Sequence, residues 1–227
     1  MASGMTLNQF EKKFAAIKAL GWVPSARRGP TGIGQTLEQL LGLKENNIAV
    51  PDLGKIELKA HRIGSSSLIT LFTFNRKVWR MKPWEAIRSH GTPDDSGRLG
   101  MYYTMSRTPN SQGLFLHIEP TTISVRHISG NLIAEWELET LAQRFMQKLP
   151  ALILVSAFSE MRGDTEWFRF SRSQLLQGTS VDIIRGQIYS ENALFDIRFE
   201  TGKRGDDAYF LMRGEELQLI FKDWEDI

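Results

Sequence analysis

The chain is predicted to fold as an α/β domain, a mixed central β-sheet flanked by helices. Three observations carry this. Residues 6–20 and 33–41 place apolar side chains at helical spacing. Residues 55–60 alternate charged and apolar, the period of a half-buried strand. Residues 151–158, ALILVSAF, are nearly all apolar, the mark of a strand covered on both faces. Composition agrees: 41% of the 227 residues are apolar and 24% charged, a globular balance. No linker is long or polar enough to force a split, so one domain spanning 1–227 is expected.

The elements follow in order. Thr6 is predicted to cap a first helix whose inner stripe is Leu7, Phe10, Phe14 and Ile17, with Gly21 as its stop. Residues 22–32, with Pro24, Gly29, Pro30 and Gly32, read as a loop. A second helix runs from about Ile33 to Leu41, with Leu37, Leu40 and Leu41 inward and Gly42 near its C-cap. A strand then runs through about Ala60, and another over 67–74. Pro83 suits the first turn of a short helix to His90, and 91–98 is a polar loop. Strands are predicted over 99–105, 113–118, 121–128 and 131–137, then a helix over 138–148. After the apolar strand, 166–170 alternates as a strand and 171–177 is predicted helical. Two strands, 194–199 and 208–212, flank the loop 201–207, and a short helix covers 214–221.

The absence of cysteine excludes a disulfide scaffold, a thiolate metal site and a thiol nucleophile. Four scattered histidines argue against zinc. No apolar run is long enough for a bilayer and the N-terminus carries no secretory pattern, so a cytoplasmic protein without a membrane partner is expected. The net charge of +2 does not announce a nucleic-acid partner by itself. The basic pairs Arg27-Arg28, Arg76-Lys77, Arg80-Lys82 and Lys203-Arg204 are, taken singly, ordinary solubilising clusters.

The stretch Pro51-Asp52-Leu53-Gly54-Lys55-Ile56-Glu57-Leu58-Lys59 is different. Residues i and i+2 of a strand share a face, so Glu57 and Lys59 would stand side by side, about 7 Å apart at Cα. Asp52 would sit at or just before the strand. A carboxylate pair with an ammonium beside it can hold Mg²⁺ and set a water against a phosphate. On the wet face of a strand, Glu-x-Lys is ordinarily a simple cross-pair. The preceding helix adds weight. Thr31-Gly32-Ile33-Gly34 leads to Glu38, about a dozen residues before Asp52. The glycines do not make a phosphate loop, because no strand precedes them and no Lys-Ser/Thr closes them.

A helix of T-G-x-G-x-x-x-E form followed by a D-x-G-x-x-E-x-K strand resembles the MvaI/BcnI family of type II restriction endonucleases. More distantly, it resembles the mismatch-repair nicking enzyme MutH. The likeness is firmest from Thr31 through about Phe74 and continues more weakly through 104–116, 151–160 and 196–217. It implies a restriction-endonuclease-like PD-(D/E)xK fold and Mg²⁺-dependent, sequence-specific hydrolysis of double-stranded DNA, with Mn²⁺ able to substitute. It implies that Asp52, Glu57 and the Leu58 carbonyl hold the metal, that Lys59 orients the attacking water, and that Glu38 joins them. It further implies a monomer that nicks each strand in turn, working beside a cognate DNA methyltransferase. The catalytic subregion would comprise about 1–80 and 145–165, and the recognition subregion about 81–144 and 166–227.

DNA contacts are expected from His61 and Arg62, which continue the strand past Lys59, and from Arg107 and Asn110 in a polar turn. Lys203, Arg204 and Asp206 form the tail loop, and Arg27 and Arg28 suit phosphates. The relatives carry histidines in that tail loop and this chain has none, which bears on the target sequence and the rate. A MutH-like repair nickase and a catalytically silent DNA-binding module are the competing readings.

Overall fold

Thr6 opens the first helix with a reciprocal capping box. Its hydroxyl accepts from the Gln9 amide, and its own amide donates to the Gln9 side chain. Helix α1 (Leu7–Ala19) then buries Phe10, Phe14 and Ile17 along one stripe. Helix α2 (Gly32–Leu41) buries Ile33, Leu37 and Leu41 and ends on Gly42, whose φ of +71° suits glycine. The structure, a computed structural model, describes residues 5–43, 48–50, 54–74, 77–200 and 207–227.

The chain forms two compact units. The first takes Met1–Ile69, Met146–Thr179 and Arg213–Ile227. Among the described residues its sheet has seven strands in the order Met5–Thr6, Ile48–Val50, Gly54–Arg62, Ala151–Arg162, Thr165–Gln177 and Asp223–Asp226, with Val23–Pro24 on the far part of Thr165–Gln177. The sheet is mixed. Gly54–Arg62 runs parallel to Ala151–Arg162 and antiparallel to Ile48–Val50. One face is apolar: Ile56, Leu58, Ile153, Val155, Phe168 and Phe170 close on α1 and α2 in a single core. Phe10 and Phe14 stack within it, ring centroids 5.6 Å apart.

The second unit takes Thr70–Phe145 and Ser180–Met212. It holds a three-stranded sheet, Leu132–Glu137, Thr122–His127 and Leu114–Ile118. A five-stranded sheet runs Leu68–Thr73, Asp207–Arg213, Ala193–Glu200, Leu99–Met105 and Thr92–Pro93. Helices α3 (Pro83–His90), α4 (Leu138–Lys148) and α5 (Val181–Tyr189) belong to this part of the chain. Its aromatic core links Phe72, Phe145, Phe195, Phe210 and Trp136, and the Trp136 indole donates to the Phe74 carbonyl.

Two sequence expectations are corrected. Residues 171–177 are strand, not helix: Thr165–Gln177 is continuous and pairs with Ala151–Arg162 along its length. Gln174 to Gln177 are held on their other side by Asp223–Asp226. A leucine- and glutamine-rich heptad with helical propensity is overridden by ladders on both edges. Helix α5 was not anticipated. Ser180 caps it, accepting from the Ile183 amide, and Ile184 and Ile188 are buried. The expected helix at 214–221 is a 3₁₀ helix, Gly214–Ile220.

Candidate active site

Alternation along Gly54–Arg62 sends Ile56 and Leu58 into the core, leaving Glu57, Lys59 and His61 on the opposite face. Lys59 Nζ lies 2.9 Å from Glu57 Oε1, with the side chains 26% and 35% exposed. The pair is therefore neither fully solvated nor sealed. Glu38 is half-buried on α2, which packs through its neighbour Leu37 against the other face of the sheet. Among the described residues the ion pair of Lys59 is to Glu57. Asp52 lies outside the described residues, as do Lys203, Arg204 and Asp206 of the tail loop.

Backbone pairing bears on Leu58. Among the described residues, Ile48–Val50 pairs with Gly54 to Ile56. On the other side, Ala151–Arg162 follows the strand from Glu57 to Arg62, and the Ile63 amide donates to the Ala157 carbonyl. Backbone groups alternate sides along a strand, so Glu57, Lys59 and His61 direct theirs to that partner. The Leu58 carbonyl then faces the edge that no strand pairs beyond Ile56 among the described residues. Glutamate and carbonyl oxygens are hard donors that suit Mg²⁺. No cluster of three or more His, Cys, Asp or Glu occurs among the described residues, which exclude Asp52.

His61 sits over Ser156, its Cα partner on the next strand, with Nε2 2.7 Å from Ser156 Oγ. Its Nδ1 is buried without a partner. Burial pushes the imidazole pKa down, against smaller upward pulls from the Arg62 backbone and from the Glu215 carboxylate. Gly214 lies so close that a Cβ there would fall 2.5 Å from the His61 ring. His61, Ser156, Gln174 and Glu215 line a cleft of about 320 Å³. Ser156 was not anticipated, yet it is the one hydroxyl in ALILVSAF.

The other expected DNA contacts have definite settings. Arg62 forms a fork on Glu166, with Nε 2.6 Å from Oε1 and a terminal nitrogen 2.8 Å from Oε2. Arg27 and Arg28 are exposed beside a cleft of about 500 Å³ shared with Asp164 and Glu166. Arg107 lies 4.0 Å over the Tyr189 ring and donates to the Tyr189 carbonyl, while its amide donates to Glu191. Asn110 Oδ1 accepts from the Gln112 and Leu114 amides, so it braces its own turn.

A family model, that of the MvaI/BcnI restriction endonuclease family, matches residues 11–226. The chain belongs to the MvaI/BcnI restriction endonuclease family. It is a restriction endonuclease, a hydrolase of DNA phosphodiester bonds. Enzymes of this type are typically metal-dependent. Two solved structures share the fold. A complex of restriction endonuclease MvaI with its cognate DNA superposes with a TM-score of 0.74 at 23% identity, over 97% of each chain. MvaI without DNA gives 0.57 at 22% identity, over 100% of this chain and 99% of that one. No curated protein sequence matches. No helix among the described residues is long and apolar enough to cross a membrane.

Proposed function

We propose that the endonuclease cuts double-stranded DNA at a specific sequence with Mg²⁺, using Asp52, Glu57, Lys59 and Glu38. The observation that carries this is the Glu57–Lys59 pair, 2.9 Å apart, on the face of the strand opposite the buried Ile56 and Leu58. Asp52, Glu57 and the Leu58 carbonyl would hold the ion, and Mn²⁺ would substitute. Mg²⁺ bound there supplies a water of lowered pKa and withdraws charge from the scissile phosphate. The Lys59 ammonium, already held by Glu57, orients the attacking water and offsets charge growing on the phosphate oxygens. Glu38, carried by α2, would accept a hydrogen bond from water at the site.

MvaI has been solved with its cognate DNA. The same partner is proposed for this chain, acting as a monomer in the cytoplasm beside a cognate methyltransferase. Arg27, Arg28, Lys203 and Arg204 suit phosphates, whereas His61, Arg107, Asn110 and Asp206 suit base edges or the scissile side. The test is digestion of a sequenced plasmid with Mg²⁺, with Mn²⁺ and with EDTA, followed by end sequencing. The parent should give discrete ends with either metal and none in EDTA. Asp52→Ala, Glu57→Ala and Lys59→Ala should each lower the rate by about 10²-fold or more while circular dichroism stays unchanged. Near-parental cleavage by any of the three sinks the assignment.

A further inference from the structure

We propose that Arg62 is a positioning residue. With Glu166 it fixes the segment ahead of α2, and through that segment the placement of Glu38 against the Glu57–Lys59 strand. This rests on the site reading above. Arg62 ends the strand that carries Glu57 and Lys59, and its guanidinium is engaged on every nitrogen. Nε and one terminal nitrogen fork onto the Glu166 carboxylate at 2.6 and 2.8 Å. The terminal nitrogens also donate to the carbonyls of Pro30, at 3.1 Å, and Gly29, at 3.4 Å. The group lies 5.2 Å over the Phe168 ring. The two side chains are only 16% and 21% exposed, so this is not a screened surface pair.

The held segment leads directly into α2. The Ser25 amide donates to the Glu166 carbonyl at 2.8 Å, and the Ser25 hydroxyl to the Arg27 carbonyl at 2.7 Å. The Ala26 amide donates to Thr36 Oγ1, which in turn donates to the Gly32 carbonyl. At the other end of the helix, Lys13 Nζ donates to the Leu41 carbonyl at 2.5 Å. Glu38 thus rides on a helix pinned at both ends, and the first pin is anchored on its own metal strand. A phosphate could take the Arg62 fork only by displacing Glu166. Lysine cannot replace it, because a single ammonium does not span a carboxylate and two carbonyls together.

The experiment compares full-length R62A, R62K, E166Q and the R62A/E166Q double variant with the parent. Three quantities are read: amide exchange over residues 25–38, the Mg²⁺ concentration for half-maximal cleavage, and DNA affinity in Ca²⁺. Each single variant should speed exchange in that segment and raise the Mg²⁺ midpoint by about tenfold, with the double no worse than a single, as for partners in one interaction. DNA affinity should stay within about threefold. Parental exchange and Mg²⁺ midpoint in E166Q overturn the proposal, and this variant keeps the arginine should R62A fold poorly. Weakened DNA binding in R62A but not in E166Q also overturns it and makes Arg62 a DNA contact. E57A is the control: if it cleaves like the parent, the site reading falls and this proposal with it. If E57A is inactive while the clamp variants behave as parent, only this proposal falls.

Discussion

Gly214 leaves no room for a methyl group beside the His61 ring, the nearest atoms being 2.5–2.6 Å from where a Cβ would stand. Gly214→Ala therefore forces the ring or the 3₁₀ helix to shift. It should cost about 1–3 kcal/mol, read as a lower urea midpoint at unchanged slope. His90 gives a second prediction. It is 5% exposed, its Nε2 is buried without a partner, and its ring lies 4.5 Å from that of His127. Burial, then the charge of His127, lowers its pKa. The unfolded chain, with His near 6.5, thus binds the proton more readily than the folded one. Stability is full above about pH 7 and falls as pH drops through about 6.5, His61 acting in the same sense. Urea unfolding at about pH 7.5 and 5.5 should show this loss, and His90→Gln should shrink it. Glu57 and Lys59 were legible because a period of two fixes which side chains share a face. The Arg62–Glu166 fork was not, since 104 residues separate partners that only strand pairing brings together.

Helix α2 shows how an element can be right in the sequence for an incomplete reason. The inward placing of Leu37 and Leu41 and the stop at Gly42 are borne out, whereas Leu40 is only partly buried. The reason for Gly32 is visible only in the fold. A Cβ there would lie 2.5 Å from the Arg27 carbonyl and 2.6 Å from Ser25 Oγ. Thr36 is likewise a joint, its hydroxyl bridging the Ala26 amide and the Gly32 carbonyl in a buried setting. Thr36→Val keeps the shape and removes the bridge. It should cost about 1 kcal/mol in thermal or urea unfolding, since a part-buried amide loses its acceptor. The strand Thr165–Gln177 was missed past residue 170 for the opposite reason. Its local preference is helical, and its identity comes from the two strands that flank it. Of the apolar run 151–158, residues 151–157 are buried as its composition led one to expect, whereas Phe158 is 39% exposed.

At the scale of the molecule, the first unit is built from three separate stretches of chain. The last of these is not trim. Asp223–Asp226 pairs with Gln174–Gln177, the Ile227 amide donates to the Ser173 carbonyl, and Thr179 Oγ1 donates to the Ile220 carbonyl. Gly214 backs His61, and Glu215 Oε1 accepts from the Gly64 amide at 2.6 Å. Removing residues 213–227 should lower the melting temperature by about 5 °C or more and abolish cleavage, checked by calorimetry and plasmid digestion. The four crossings between the units fall at 69/70, 145/146, 179/180 and 212/213, and no long polar linker marks them. The same threading sets an order of assembly during synthesis. Chains emerge at about 5–20 residues per second and segments fold as their partners appear. The Glu57–Lys59 strand emerges early, but its partner strand at 151–162 and the backing at 213–227 come much later. A nascent chain therefore carries the Glu57–Lys59 strand without its partner strand and its backing until residues 213–227 have emerged.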